Sequence, residues 1–410
     1  MNFRWQCTYS FINPLTNKSH IFITSISVSA ALLGDAVLYV LMPSRPEIWS
    51  LTIFQVGILL SANRFIRFFT NPASSYLANR FGVKKPFVWF LFSSLATLYA
   101  YAFSKNFILL FLARLYWGAC WSVLRLTGQL IASNSSSNKN IGFFMSMDHS
   151  IRQTGAIGGA VVGAILFSTL GLELMCLIFG LLTLVALGFW APMFRNVSVD
   201  IPMKNDSMKD FFSKLKNLDV LFLGFSGLAI GIVVAGLMSA SIGHYLRTKF
   251  GIELDFKLLT LSVTTVAGLL LGFRGLADVV LAPVGGFVSD KFGRIKVLFI
   301  SALIASLGLL SLGFFDDLFM VCFAFLLVFG GGVMLSVQLL PVVSLAVERE
   351  SHSEMFSIYN TFNDVGSALG PLIGLSLIPA TFLPALYQLC SVFLVLLVGL
   401  IFLRFRNKIN

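Results

Sequence analysis

The chain has 410 residues, of which 57% are hydrophobic and only 11% charged. A soluble domain carries about 25% charged residues, so most of this surface faces lipid rather than water. The formal net charge of +11 does not point to nucleic acid, because the basic residues sit mainly in short loops between apolar runs, where they set membrane topology.

In chain order, runs long enough to cross a bilayer fall at about 21–42, 52–78, 86–104, 107–131, 141–168, 173–193, 219–246, 259–289, 295–314, 318–346, 356–380 and 382–403. These twelve are expected to be helices, because a lone strand in lipid leaves its backbone unpaired. The mixed residues ahead of the first run, with Asp35 inside it and no small-residue cleavage site after it, do not read as a cleaved signal. With both termini placed in the cytoplasm, eighteen Lys and Arg residues fall on that side and five on the other. That is the positive-inside pattern, and it supports cytoplasmic termini; the expected location is a multi-pass place in a bacterial inner (plasma) membrane. The longest connection is polar and carries Pro202 among several Lys and Asp. It divides the chain into a six-helix unit at 1–194, a cytoplasmic linker at 195–218 and a second six-helix unit at 219–410. The five cysteines and four histidines are scattered, with no CxxC or HExxH pattern, so no metal site or disulfide framework is expected. No GxxxxGK[ST] phosphate loop occurs; if the chain moves a solute, a gradient drives it.

The two units repeat. A charged turn runs from Gly286 to Leu298 and includes Asp290, Lys291, Gly293 and Arg294; an altered copy runs from Ser75 to Lys85. Asn79 stands for Asp290 and Gly82 for Gly293, both 211 positions earlier. The same offset relates Gly155, Gly159 and Gly163 to Gly366, Gly370 and Gly374. Gly286 permits close helix approach, and Gly293 permits a positive φ and a rapid reversal. Lys291, Arg294 and Lys296 hold the loop in the cytoplasm. Asp290 at a helix end calls for a cation or a facing helix N-terminus.

Twelve runs, two repeats and a GxxSDKxGR turn after the second run of a repeat resemble the major facilitator superfamily, over the whole chain. The resemblance implies an all-α integral membrane fold of twelve transmembrane helices in two pseudo-symmetric six-helix bundles. It also implies a latch at the turn that breaks and re-forms during transport, formed by Gly286, Asp290, Lys291, Gly293, Arg294 and, in the altered copy, Asn79, Arg80 and Gly82. A bland reading remains, in which the turn only sets topology. The first copy departs from the pattern at Ser75, Asn79 and Val83, which leaves Asp290 carrying more of the latch. The segment Gly366-x-x-x-Gly370-Pro371-x-x-Gly374 resembles an antiporter motif carried on the family's fifth helix. Here the full form is on the eleventh run, and ordinary small-residue packing explains the glycines equally well.

Charges inside the bilayer are costly and by default mark a pathway. Asp35 and Arg114 both lie about 10 Å from the outer ends of their runs and can meet. Arg114-x-x-x-Gly118 resembles the family's fourth-helix motif, in which an arginine tunes a proton-carrying carboxylate. Asp35 with Arg114 is the expected proton-coupling pair, a static ion pair being the alternative. Arg64 and Arg67 share one stripe of the second run. Asp148 and Arg125 lie at similar depth and are expected to pair. Arg64, Arg67 and Arg152 are then left without an acid in the first unit, which favours an anionic substrate gripped by guanidinium forks; snorkelling is the alternative. Trp121 and Tyr39 are candidates for its apolar part. Arg274 and Asp278, one turn apart, either neutralise each other or Asp278 crosses to Arg64 or Arg67 to close the path. Asp148, Arg125, Arg274 and Asp278 are accordingly read as gating residues.

The expected function is alternating-access transport of a small organic solute, proton-coupled, with efflux favoured over symport uptake and an anion favoured as substrate. A non-transporting sensor on the same fold is the alternative class. No enzymatic activity, cofactor, metal or nucleic acid is expected. The expected partners are the lipid bilayer, a small-molecule substrate and protons, and the expected state is a monomer.

Overall fold

The computed structural model describes residues 14–44, 46–137, 139–193, 217–251, 253–255, 260–347, 352–371, 373–374 and 380–409, so the expected linker lies outside it except for its last two positions. Helix α1 spans Pro14–Ser44 and leads through a short 3-10 turn, Pro46–Trp49. The second expected run forms two helices, α2 (Ile53–Phe65) and α3 (Arg67–Phe81), continuous through Ile66 at φ −61 and ψ −26. Thr52 and Gln55 close a capping box at the start of α2, satisfying donors that the first turn leaves open. Helices α4 (Lys84–Phe103) and α5 (Phe107–Asn134) follow, the latter capped by Asn106. Helix α6 runs from Ile141 to Met193 and is broken at Gly171, whose φ of 81 returns the chain as the sixth crossing.

In the second unit α7 (Leu218–Ile230), a π segment (Gly231–Leu237) and α8 (Met238–Phe250) stack end to end as the seventh crossing. A three-residue antiparallel pair, β1 (Glu253–Asp255) with β2 (Thr260–Ser262), leads into α9 (Val263–Phe292). The remaining helices are α10 (Arg294–Leu312), α11 (Leu318–Leu345), α12 (His352–Pro371) and α13 (Leu383–Ile409).

Among the described residues ten helices are long and apolar enough to cross a membrane. The two expected crossings missing from that set are the second and the eleventh. The second is divided at Ile66 into α2 and α3, each shorter than a full crossing. Helices α3 and α12 are polar for a physical reason: they lie against each other between the units, and their Asn, Ser, Arg and acidic side chains meet there. Their polarity is turned inward, and outward faces elsewhere carry exposed apolar side chains such as Trp89, Leu181, Phe189 and Leu396.

Small residues set the helix contacts within each unit. A Cβ on Gly155 or Gly159 would strike the carbonyls of Ser29 or Leu33 on α1, and one on Gly163 would strike Val37. In the second unit Gly366 meets Leu228 O on α7, while Gly370 and Gly374 meet Gly236 and Leu237 of the π segment. Backbones this close are what glycines four apart permit. Gly118 of α5 likewise abuts Asn63 and Ile66 at the α2–α3 junction. The units meet along α3–α12 and α6–α9. The end of the bundle holding Gly82 (φ 73) and Gly293 (φ 99) is called the turn end below.

Candidate functional site

Polar side chains from both units form a column along the axis, from the turn end to Arg67 and Asp278 at the middle of their crossings. At the turn end Asp290 accepts from the backbone N–H groups of Gly142 (3.1 Å) and Phe143 (2.8 Å) at the start of α6, and from Arg294 Nη2 (2.7 Å). The acid therefore has both partners that its position calls for, a helix N-terminus and a cation. A Cβ added to Gly286 would lie 2.6 Å from Gly142 O. Lys291 is exposed, with its Nζ 5.5 Å from the Phe292 ring. In the first copy Asn79 donates to Glu354, and Ser75 Oγ lies 2.9 Å from Ser353 Oγ. Arg80 does not bridge the units; it bonds Tyr76 and lies over Phe81.

One layer in, Ser133 Oγ lies 2.7 Å from His352 Nδ1. Gln129 and Asn360 exchange amide bonds at 3.3 and 2.7 Å. Above them Asp364 of α12 accepts from Arg67 (3.4 Å), from Asn71 (3.0 Å) and from Arg125 through both oxygens. The Arg125 guanidinium also reaches Asn71 Oδ1 (3.3 Å). On the other side of the axis Asp278 of α9 faces His149 Nε2 (3.1 Å) and accepts from Gln153 (3.2 Å), both on α6. Between these two clusters lies a cavity of about 160 Å³, lined among others by Trp121, Arg125, Arg152, Asn360 and Asn363. The Arg67 guanidinium stands 5.7 Å from the Trp121 ring, within cation–π range.

The expected arrangement changes at Asp148, Arg152, Arg67 and Asp278. Arg125 pairs with Asp364 across the interface and not with Asp148. Asp148 is held by Arg152 one turn away (2.8 Å) and by Ser25 Oγ (2.8 Å), so Arg152 is not left over for substrate. Depth along a helix matched Asp148 to Arg125, but the helix faces send them to different neighbours. Arg67 is not left over either, because Asp364 reaches it. Asp278 does cross the axis, but to His149 and Gln153 instead of to an arginine, and Arg274 turns to Ser239 Oγ.

Asp35 and Arg114 do meet, fully enclosed between α1 and α5. Arg114 Nε also donates to Leu59 O (3.0 Å) and Nη2 to Tyr39 Oη (3.2 Å). Tyr39 thus caps this pair, with its hydroxyl 3.3 Å from Asn63 Oδ1.

The sequence reading missed Asp364, His149, Gln153 and Glu354. The repeat offset holds the signal for two of them. Position 67 maps to 278 and position 153 to 364, so Arg67–Asp364 and Asp278–Gln153 are one contact made twice.

Away from the ends of the crossings, six arginines (Arg64, Arg67, Arg114, Arg125, Arg152, Arg274) stand against four aspartates (Asp35, Asp148, Asp278, Asp364) among the described residues. Every aspartate is engaged as above. Arg64 and Arg274 have no carboxylate within ion-pair distance among the described residues; Arg274 lies within electrostatic reach of Asp278, one turn away, and more weakly of Arg64. Arg64 also lies within reach of Arg67. The Nε–H groups of Arg67, Arg125 and Arg274 are buried without an acceptor among the described residues.

Two six-helix halves around a charged polar axis, with an acid-bearing turn docked on the opposite half, mark a membrane transporter. The model of the Major Facilitator Superfamily matches residues 24–273 and again 221–409, and the chain belongs to that family. It is similar, at 24% identity over 383 residues covering 88% of each chain, to "Multidrug resistance protein MdtG" of Klebsiella pneumoniae (strain 342). It is also 24% identical over 311 residues, 74% of this chain and 73% of the other, to "Multi-drug resistance efflux pump PmrA homolog" of Lactococcus lactis subsp. lactis (strain IL1403). The fold matches the crystal structure of a bacterial homologue of the iron transporter ferroportin in outward-facing state, with a TM-score of 0.75 and 14% identity, over 96% of this chain and 100% of that one.

Proposed function

We propose that this transporter exports a small organic anion in exchange for protons. The observation that carries the anion is the surplus of two guanidinium groups, Arg64 from the first unit and Arg274 from the second. Both are partly buried inside the membrane and neither forms an ion pair among the described residues, which is costly there, and an anion entering between the units supplies the partner. Arginine suits this role because its planar fork binds an oxyanion in two places. Trp121 beside Arg67 offers an aromatic face for the rest of the solute.

Proton coupling is assigned to Asp35, a carboxylate enclosed within the membrane beside Arg114. Export is supported by the efflux and resistance names of the similar proteins. The turn end is assigned to the cytoplasm from the distribution of Lys and Arg. The units are 1–194 and 219–410, joined by the linker at 195–218 in a monomeric inner-membrane protein that uses no cofactor beyond the proton gradient. The inter-unit bonds then close the cytoplasmic half, so the conformation is outward-facing.

Counterflow in liposomes with matched panels of anionic, neutral and cationic solutes tests this. The wild type is expected to exchange an anion, and Arg64→Ala and Arg274→Ala each to raise its KM by about 10-fold or more, the scale of one charge-assisted hydrogen bond. Exchange of cations or neutral solutes alone, undisturbed in both variants, refutes the anion assignment.

A further inference from the structure

The offset of 211 that relates the two turns also carries Gly142 onto Ser353 and Phe143 onto Glu354. The start of α6 and the start of α12 are therefore repeat counterparts, as are the ends of α9 and α3. In the second copy the acid is on the turn: Asp290 accepts from the N–H groups of Gly142 and Phe143. In the first copy the turn carries a donor. Asn79 Nδ2 donates to Glu354 Oε1, and Glu354 stands at the position of Phe143. The close contact is rewritten with it. Where Gly286 faces Gly142 with no room for a Cβ, Ser75 faces Ser353 and their hydroxyls bond at 2.9 Å.

Three coordinated differences at one contact are not the mark of decay. A copy that had lost its acid would leave Asn79 facing an ordinary helix start. Instead a carboxylate only 2% exposed is set in the first turn of α12, the end where the helix dipole favours negative charge.

We infer that Glu354 is the latch acid of the first unit, its charge transferred across the interface from position 79 to position 354. Each of the two inter-unit latches thus keeps one carboxylate, held on opposite partners. Opening of the turn end separates Asn79 from Glu354 as it separates Asp290 from α6. Glu354 is a positioning residue for the conformational change and touches no substrate.

The inference rests on alternating access and not on the choice of an anion, and its main readout needs no substrate. The reporter is Met145→Cys, a buried position lining the axial cavity, in a background without other cysteines. It is labelled with a maleimide applied from the turn end. Asn79→Asp places two carboxylates against each other, which disfavours contact when both are ionised. At alkaline pH, where the two acids do not share a proton, it is expected to raise the labelling rate at least tenfold. Glu354→Gln, added to Asn79→Asp, rebuilds the arrangement of the other turn and is expected to return labelling to within threefold of the parent. Unchanged labelling in Asn79→Asp, or a double variant that labels as fast as the single, overturns the inference. If Asn79→Asp alone does not accumulate in the membrane, recovery of folded, label-resistant protein in the double variant supports the inference, and failure to recover it overturns the inference.

Discussion

Replacing Asp364 by Asn tests whether the mid-axis cluster holds the two units together. Asp364 faces two guanidinium groups, Arg67 and Arg125, whose side chains are each 11% exposed. Removing one partner of a buried ion pair costs about 3–5 kcal/mol, because the remaining charge stays desolvated. Asparagine keeps one carbonyl acceptor, which offsets part of that, leaving about 2–4 kcal/mol. The penalty applies only while α3 and α12 are in contact, since water solvates the arginines once they part. At about 1.4 kcal/mol per factor of ten, the population open at the turn end rises by roughly 30- to 700-fold. Maleimide labelling of Met145→Cys reads this directly, and the expected increase is at least 30-fold. Adding Arg125→Gln removes one stranded cation and is expected to bring part of the protection back. A labelling rate within threefold of the parent, in a variant that still purifies as a folded monodisperse protein, refutes the reasoning.

Three further outcomes follow from the packing and the enclosed pair. Asp35→Asn is expected to abolish proton movement coupled to substrate while leaving substrate counterflow measurable; a pH-sensitive dye in liposomes checks it, and full coupling in the variant removes Asp35 from the mechanism. Gly155→Val drives a side chain into Ser29 of α1 and is expected to destabilise by about 1–3 kcal/mol or more, as overpacking does. Gly188→Ala, whose added Cβ meets nothing within 4 Å, is expected to leave the thermal midpoint unchanged in the same melting assay.

The crossings and the internal repeat were legible because they rest on long-period patterns that single residues do not disturb. Asp35 and Arg114 were paired correctly by depth, as they sit equally far from the same membrane face. The same arithmetic misassigned Asp148, because depth gives no azimuth: Arg152 on its own helix and Ser25 on α1 share its face, while Arg125 turns toward α12. Asp364 was missed as a partner, since its contacts with Asn71 and Arg67 span 293 and 297 positions of sequence. Asn79 read as a loss until Glu354, 275 positions away, supplied what it binds.

The polar stripe of α3 also bears on biosynthesis. An arginine at the centre of a crossing costs about 2.5–3.5 kcal/mol on insertion, and the α2–α3 crossing carries Arg64 and Arg67 side by side with Asn71. Its acid partner, Asp364, leaves the ribosome almost 300 residues later. In the interval the nascent chain offers α1, through Tyr39 with Asn63 (3.3 Å), and α5, through Thr70 with Ser122 (2.8 Å) and Asn71 with Arg125. The second crossing therefore enters the bilayer leaning on the first and fourth, and Arg67 waits for its counter-charge until the eleventh is made.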